Sequence, residues 1–251
     1  MVRPRWTTGP QAITLVRHGE SVGNKADDAA RRANAEQLDL DARDADVELS
    51  PTGRDQADAI GDWLRDCDPT DLPTVVVSSP YRRAAETAAL AMRDRDIEVL
   101  VDERLRERDL GVFDGLTGLG IRSRYPEEAA RRKKLGKFYY QPPSGESWAD
   151  VVLRVRSLLG DLRHGYDGER IWMFTHQAVI MSFRYALEDL DEKSLLEIDR
   201  EVQIPNASFT TFCRSGDLLH LEGFADTAAL DRAGTQQTRE APHRGRGHGD
   251  E

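Results

Sequence analysis

Short apolar runs alternate with longer stretches of helical periodicity along most of the chain. The apolar runs, which suit buried strands, lie at residues 12–16, 74–79, 97–101, 170–175, 208–213 and 218–224. Strands that alternate with helices are typical of an α/β fold whose sheet is covered on both faces. The pattern therefore predicts a three-layer α/β/α sandwich with a mostly parallel central sheet.

Two of the predicted helices begin with the dipeptide Ser-Pro. Ser50 is a candidate N-cap, and Pro51 fits the first helical position, where its missing N–H leaves no hydrogen bond unmade. Ser79 and Pro80 repeat this arrangement directly after the second predicted strand. We therefore expect Ser50 and Ser79 to cap helices that pack on the sheet.

Length and composition favour one large domain followed by a tail. At about 150 residues per domain, a chain of 251 residues suits one large domain or two small ones. No internal repeat divides the sequence, so we assign residues 1–230 to a single domain. Residues 231–251 have almost no large apolar side chain, and we expect them to form a disordered tail.

The formal net charge of −10 argues against nucleic acid as the main partner. An acidic protein can still bind an anion in a pocket that concentrates its positive groups.

Cys67 and Cys213 lie far apart and follow no metal or disulfide spacing, which fits a reducing compartment. No apolar run approaches the roughly 20 residues of a membrane span, and the N-terminal run is too short for a signal peptide. We therefore expect a cytoplasmic protein with no membrane partner.

The stretch "LVRHGESVGN" (residues 15–24) places His18 at the end of the first predicted strand. His176 follows the strand at 170–175 in the same way. Ligands of open α/β sheets bind beyond the carboxyl ends of the strands, so both histidines are candidates for a site. One such histidine is more often structural, whereas two at equivalent positions leave a structural and a functional role about equally open.

The neighbours of His18 favour an anion as the ligand. Arg17 precedes it, Gly19 lets backbone N–H groups approach a ligand, and a helix start follows. This combination is typical of a phosphate site. A zinc site formed by His18, His176 and a glutamate is the alternative. A divalent cation is electrostatically disfavoured beside the guanidinium of Arg17, which stabilises a phosphate dianion.

The chain resembles the histidine phosphatase superfamily, the phosphoglycerate mutase-like proteins. "LVRHGES" followed by Asn24 is similar to the family signature, in which the histidine becomes phosphorylated. Further family motifs follow in order: "LSPTGRDQA" (49–57), "SSPYRRAAETA" (78–88), "LRERDLGVFDG" (105–115), "PSGES" (143–147) and "FTHQAVI" (174–180). Six motifs in order make the resemblance specific, and it implies the phosphoglycerate mutase-like fold.

The resemblance implies that His18 is the nucleophile, whose imidazole attacks phosphorus to give a phosphohistidine. Glu107 would protonate the leaving alkoxide and then remove a proton from the attacking water. Arg17, Arg83 and His176 would stabilise charge on the transferred group and so count as catalytic. The residues expected to bind the phosphate are Arg17, Asn24, Arg83, His176 and Gln177. No metal or cofactor is expected, because the arginines and histidines supply the positive charge.

Two of these assignments have competitors nearby in the sequence. The family pattern alone selects Arg83 over its neighbour Arg82. Asp109 and Asp114 lie close to Glu107 and could replace it as the proton donor. Each alternative predicts a different side chain in the pocket.

Residues 125–159 resemble the bisphosphatase domain of 6-phosphofructo-2-kinase/fructose-2,6-bisphosphatase, although no counterpart of its kinase half is seen in this sequence. Gln177, where most members have glycine, and a short interval between Glu107 and His176 favour a phosphatase over a mutase. The charged insertion at residues 25–48 is longer than the family usually has. It could be a lid over the pocket, whose aspartates would repel strongly anionic substrates unless a basic residue faces inwards, or a solvated excursion.

The sequence therefore predicts a metal-independent phosphatase that hydrolyses a small phosphate monoester, such as a sugar phosphate, through a phosphohistidine. A cofactor-dependent phosphoglycerate mutase is one alternative, and a catalytically weak phospholigand-binding protein on the same fold is another. The expected partner is a small-molecule phosphate ester. A homodimer is common among relatives of this kind.

Overall fold

The structure is a computed structural model that describes residues 5–240. In that part of the chain the strands are β1 (Ala12–Arg17), β2 (Val75–Ser78), β3 (Val99–Val101), β4 (Arg170–Thr175), β5 (Phe209–Ser215) and β6 (Leu218–Asp226). They form one six-stranded sheet in the order β3-β2-β4-β1-β5-β6. Strands β1 to β4 run parallel, whereas β5 and β6 add an antiparallel edge. The predicted mostly parallel sheet is confirmed.

Helices cover both faces of this sheet. They are α1 (Val22–Arg32), α2 (Pro51–Arg65), α3 (Arg82–Ala91), α4 (Gly118–Arg124), α5 (Pro126–Leu135), α6 (Trp148–Asp161), α7 (Gln177–Glu188), α8 (Glu192–Glu201) and α9 (Ala228–Ala233). Side chains of β1 alternate between the faces, so that Ile13 and Leu15 join the core under α6 and α7, and Val16 the core under α2 and α3. The predicted three-layer α/β/α sandwich is therefore confirmed. None of the helices in residues 5–240 is long and apolar enough to cross a membrane.

The two Ser-Pro dipeptides have different roles. Ser50 caps α2 as predicted, because its side chain accepts a hydrogen bond from the Gly53 N–H at 3.0 Å. The prediction for Ser79 is wrong, since α3 begins only at Arg82 and its N-cap, Tyr81, makes no side-chain capping bond. The Ser79 hydroxyl instead accepts from the Tyr81 N–H at 3.2 Å and lies against a histidine of the site described below.

The charged insertion at residues 25–48 is fixed to the rest of the domain. Its first part continues α1, and the Thr117 hydroxyl donates to the Ala35 carbonyl at 2.8 Å in the following loop. Its last part forms a short 3₁₀ helix, Asp44–Asp46, that packs beside α3. This path carries the Asp44 carboxylate to the carboxyl edge of the parallel strands.

The predicted disordered tail differs from the structure over residues 231–240. The first of these residues complete α9, in which Leu230 is fully buried, and Gly234 ends the helix with a φ of +64°. The following segment hydrogen-bonds to the buried side chain of Gln56 and to Asn206. Composition cannot reveal such long-range bonds, so disorder was predicted where tertiary contacts hold the chain. Residues 241–251 lie outside the described part.

Candidate active site

The two strand-end histidines meet at the carboxyl edge of the sheet. Arg17, the last residue of β1, pairs in parallel register with Thr175, the last residue of β4. His18 and His176 therefore follow neighbouring strands at the same level, and their ring centroids lie 5.1 Å apart. The strand pairing explains why two residues 158 positions apart in the chain form one site.

His18 is buried and held in one tautomer. Its Nδ1 lies 2.7 Å from the carbonyl oxygen of Gly19, which can only accept, so Nδ1 carries the proton. Burial, followed by the charges of Arg83 and Arg17, holds the pKa of His18 well below its usual range. The neutral ring thus keeps a lone pair on Nε2.

His176 is fully buried beside it. Its Nε2 lies 2.9 Å from the Ser79 hydroxyl, while its Nδ1 has no hydrogen-bond partner among residues 5–240. Burial and then the charge of Arg83 lower the pKa of His176 well below its usual range. The ring is therefore neutral, with one polar atom that a bound ligand could satisfy.

Arg17 contributes a guanidinium that is only 1% exposed. It donates from Nη1 to the carbonyl of Ile204 and from Nη2 to the carboxylate of Glu240 at 2.5 Å. Asn24 lies beside it at the start of α1, where its Oδ1 accepts from the Ser21 N–H at 3.0 Å as part of a capping box. This bond orients the Asn24 amide so that its Nδ2 donates to Glu240 at 2.8 Å.

Arg83, and not Arg82, faces the histidines. Its side chain is buried, and its two terminal nitrogens donate to the Asp44 carboxylate at 2.9 and 3.3 Å. Arg82 points away to solvent, where it pairs with Glu48 and Glu86. Arg83 thus faces the insertion from α3, and the insertion's own Asp44 pairs with it.

Glu107 is the largely buried acid of this pocket. Burial raises the pKa of its carboxyl group, although the Arg108 N–H, which donates to its Oε1 at 2.7 Å, and the charge of Arg83 oppose that rise. Asp109 is exposed and accepts a hydrogen bond from the Gly111 N–H at 2.7 Å, and Asp114 is exposed too. The geometry therefore favours Glu107 over both alternatives.

The zinc alternative would need a third ligand beside the two histidines. In the described part of the chain, no group of three or more His, Cys, Asp or Glu side chains could hold a metal ion. Two guanidiniums flank the histidines instead. The charge and the donor set of the pocket suit an anion.

The sequence profile of the histidine phosphatase superfamily (branch 1) matches residues 13–227. The chain belongs to this superfamily. The predicted family is thereby confirmed, and the phosphatases among its relatives support the predicted enzyme class, a histidine phosphatase.

Relatives of the chain include phosphatases and a mutase-like protein. Phosphoglycerate mutase-like protein 4 of Arabidopsis thaliana is 30% identical over 235 residues, 90% of each chain. A 6-phosphofructo-2-kinase/fructose-2,6-bisphosphatase of Gallus gallus is 34% identical over 173 residues, 68% of this chain and 31% of the relative. The chain spans about a third of the length of the first curated relatives it matches. A mycobacterial glucosyl-3-phosphoglycerate phosphatase solved with VO3 shares the fold at a TM-score of 0.69 and 27% identity, covering 86% of this chain and all of that one.

Gln177 lies at the start of α7 in this histidine phosphatase, directly after His176. Its Nε2 donates to the Asp199 carboxylate at 3.2 Å, and Asp199 also pairs with Lys137 at 2.7 Å. The Oε1 of Gln177 is buried with no hydrogen-bond partner in residues 5–240. This acceptor is the part of Gln177 that could bind a substrate hydroxyl.

Four residues that complete the pocket carry no signal strong enough to single them out in the sequence. Asn206, fully buried, donates from Nδ2 to the His18 carbonyl at 3.1 Å. Thr87 accepts from the Gly19 N–H at 3.0 Å, and its place in the motif "SSPYRRAAETA" is the one signal that could have found it. The carboxylate of Asp44 accepts hydrogen bonds from Arg83, and that of Glu240 accepts one from Arg17. No local pattern in the sequence marks either carboxylate.

The loop that carries His18 depends on a close approach to α2. A Cβ on Gly53 would lie 1.9 Å from the Glu20 carbonyl oxygen, and one on Gly19 would lie 2.5 Å from the Gly53 carbonyl oxygen. Neither backbone atom can move without shifting the loop, so both positions require glycine.

Replacing Gly53 by alanine is expected to lower the free energy of unfolding by about 1–3 kcal/mol, because the methyl group would push the 19–20 loop away. Chemical denaturation measures the change. Gly160→Ala is the matched control: it also lies in a helix, but its Cβ would meet no atom within 4 Å, so stability should hold or rise. Equal stability of both variants would show that the close approach is not rigid.

Proposed function

We propose that the protein is a metal-independent phosphatase that hydrolyses a small phosphate monoester through a phosphohistidine at His18. The observation that carries this proposal is the state of His18. It is neutral, its proton is held on Nδ1 by Gly19, and it lies between two buried guanidiniums, those of Arg17 and Arg83. A neutral imidazole with a free Nε2 beside an anion-binding pocket is what nucleophilic attack on a phosphoryl group requires.

In the first step, Nε2 of His18 attacks phosphorus as the bond to the ester oxygen breaks. The electron pair of that bond leaves with the oxygen, which takes the proton of Glu107 and departs as an alcohol. Arg17, Arg83 and Asn24 supply donors to the equatorial oxygens, whose charge must be stabilised in the transition state. The raised pKa of Glu107 supports its role, because it keeps the acid protonated at a higher pH.

In the second step, water attacks the phosphohistidine in line with the N–P bond. Glu107, now a carboxylate, takes a proton from that water, and the N–P bond breaks to release inorganic phosphate. The electron pair of the bond returns to Nε2 of His18. Both residues then regain their starting protonation states, and no oxidant, reductant or metal enters the cycle.

His176 has a separate role in this proposal. Without a ligand, its low pKa keeps it neutral and its Nδ1 unpaired. A phosphate dianion beside the ring favours the charged form, so its binding raises the pKa of His176 and allows the ring to donate a charge-assisted hydrogen bond.

The substrate class in this proposal is a small sugar phosphate or a related metabolite. Two relatives have names that refer to sugar-derived phosphate esters, fructose-2,6-bisphosphatase and glucosyl-3-phosphoglycerate phosphatase, which supports this class. The side chains of Arg108, which follows Glu107 in the chain, and of Lys137 each lie 5.5 Å from the ring of Trp148. A small polar or anionic substrate suits these groups.

We also propose a cytoplasmic location, which the two free thiols, Cys67 and Cys213, support.

A panel of phosphorylated metabolites, assayed for release of inorganic phosphate, tests the proposed reaction. We expect release from at least one sugar phosphate, and none from the same panel without enzyme. The mutase-like relative from Arabidopsis thaliana favours phosphoglycerate mutase as the second candidate, so interconversion of 2- and 3-phosphoglycerate is measured in parallel. Interconversion without release of phosphate would overturn the phosphatase proposal. Phosphate binding without any turnover would favour the phospholigand-binding alternative.

A further inference from the structure

The segment after α9 runs along the candidate active site, and Glu240, the last residue that the structure describes, reaches into it. Thr238 is its anchor: its hydroxyl accepts from Gln56 Nε2 at 2.9 Å and donates to Asn206 Oδ1 at 3.1 Å. The Asn206 N–H also donates to the Thr238 carbonyl at 3.0 Å. Gln56 and Asn206 are both fully buried, and Asn206 supports the backbone of His18. The segment is therefore bound to the framework of the pocket.

This anchoring places the carboxylate of Glu240 against the side chains of Arg17 and Asn24, which are predicted to donate hydrogen bonds to a bound phosphate. One oxygen of Glu240 accepts from Arg17 Nη2 at 2.5 Å and from Asn24 Nδ2 at 2.8 Å. Arg17 is 1% exposed, whereas the Glu240 side chain is 34% exposed. The guanidinium is thus a fixed part of the core, and the carboxylate reaches it from the solvent side.

A phosphoryl group that binds Arg17 Nη2 and Asn24 Nδ2 would take the donors that Glu240 now uses. Arg17 Nη1 already donates to the Ile204 carbonyl, and the Oδ1 of Asn24 is held by the capping box of α1. A phosphate oxygen and the Glu240 carboxylate cannot occupy the same position, because each is an anion that accepts from the same N–H groups.

We propose that Glu240 is an internal ligand of the phosphate pocket, which competes with the substrate and restrains the enzyme until its carboxylate is displaced. This inference rests on the proposed function, since it takes the pocket of His18 to be a phosphate site. The competitor is a carboxylate monoanion held in place by the residues around Thr238. Its release opens Arg17 and Asn24 to the phosphoryl group.

Phosphate can displace this carboxylate because it carries more charge and more acceptor oxygens. Within the described residues, Glu240 accepts hydrogen bonds from Arg17 and Asn24 through one oxygen of a monoanion, whereas a phosphate dianion brings two charges and three oxygens to the same donors. Phosphate binds only to the molecules in which Glu240 is undocked, so its apparent Kd equals the intrinsic Kd divided by the undocked fraction. If about nine molecules in ten are docked, removing the competitor strengthens phosphate binding about tenfold.

Glu240→Gln tests the proposal in the full chain. The amide keeps the shape of the side chain but removes the charge that holds it on Arg17. We expect the Kd of inorganic phosphate, measured by titration calorimetry, to fall by about threefold to tenfold. With a hydrolysed ester, KM should fall by a similar factor while kcat stays within about twofold, because Glu240 takes no part in the chemistry.

Two further variants make the result specific. Glu240→Asp keeps the charge but shortens the side chain by one methylene group, so its phosphate Kd should lie between those of the wild type and Glu240→Gln. Glu222→Gln makes the same charge change at an exposed position on β6 and should leave the Kd unchanged. A Glu240→Gln protein that binds phosphate no better than wild type would overturn the proposal. An equal gain in Glu222→Gln would overturn it too, by showing a general charge effect.

The measurement separates this proposal from the proposed reaction, because phosphate binding needs no turnover. If no ester is hydrolysed but Glu240→Gln still binds phosphate more tightly, the reaction is wrong and the internal ligand stands. If an ester is hydrolysed and phosphate binding is the same in both proteins, the internal ligand is wrong and the reaction stands. Thermal unfolding of each variant confirms that the protein is folded.

Discussion

Replacing His18 by alanine is expected to lower kcat for hydrolysis of a phosphate ester by at least about 10³-fold. The imidazole forms the covalent bond to phosphorus in the proposed mechanism, and alanine puts no nucleophilic nitrogen in its place. Stopping the reaction of the wild type and measuring acid-labile phosphate on the protein should show a phosphohistidine, which the variant lacks. Residual turnover would come from binding and charge stabilisation alone.

His164→Ala is the matched control for this experiment, since His164 is an exposed histidine in a loop after α6. It should keep wild-type activity and the trapped phosphohistidine. Hydrolysis that is unchanged in His18→Ala would contradict the phosphohistidine mechanism. Phosphate binding should weaken far less than kcat in that variant, because both arginines remain, and this difference separates a lost nucleophile from a collapsed pocket.

Replacing Glu107 by glutamine is expected to lower kcat by about 10²- to 10⁴-fold for an alkyl phosphate, which is the usual contribution of general acid catalysis. An aryl phosphate with a good leaving group, such as p-nitrophenyl phosphate, should lose much less in the first step, because its phenolate departs without a proton. Asp109→Asn removes the neighbouring exposed carboxyl group and should leave both substrates unaffected. A larger loss in Asp109→Asn than in Glu107→Gln would reverse the assignment.

The pH profile of kcat/KM gives a second measure of Glu107. His18 must be neutral to attack, so activity rises with pH through its pKa, which burial and the two arginines lower. Glu107 must be protonated to donate, so activity falls as pH rises through its pKa, which burial raises. We therefore expect a bell-shaped profile whose rising limb lies below the usual pKa of a histidine and whose falling limb lies above the usual pKa of a carboxyl group. Glu107→Gln should keep the rise at low pH and lose the fall at higher pH.

Much of the fold could be predicted because it depends on local patterns. The apolar run at residues 170–175 is β4 in full, and Ser50 caps α2 as its Ser-Pro dipeptide predicts. Ser79 shows the limit of such patterns. A serine before a proline can cap a helix or hydrogen-bond elsewhere, and His176, 97 residues away, decides between the two.

The candidate site was predictable to the extent that motifs carry it. The strand-end positions of His18 and His176, together with Arg17, are enough to indicate an anion site from the sequence. The sequence alone could not choose between Arg82 and Arg83 without the family pattern. Burial makes the choice, because α3 turns Arg83 towards the histidines and Arg82 towards solvent.

The sequence by itself determined the order of strands and helices along the chain and the family, and it predicted the residues of the candidate site. Only the tertiary structure decided what else shares the pocket, because the contacts of Asp44 with Arg83 and of Glu240 with Arg17 join residues 39 and 223 positions apart. Local composition marked both carboxylates as parts of charged, polar segments that could face solvent. Their position depends on which distant donors the folded sheet brings within hydrogen-bonding distance, and periodicity contains no information about that distance.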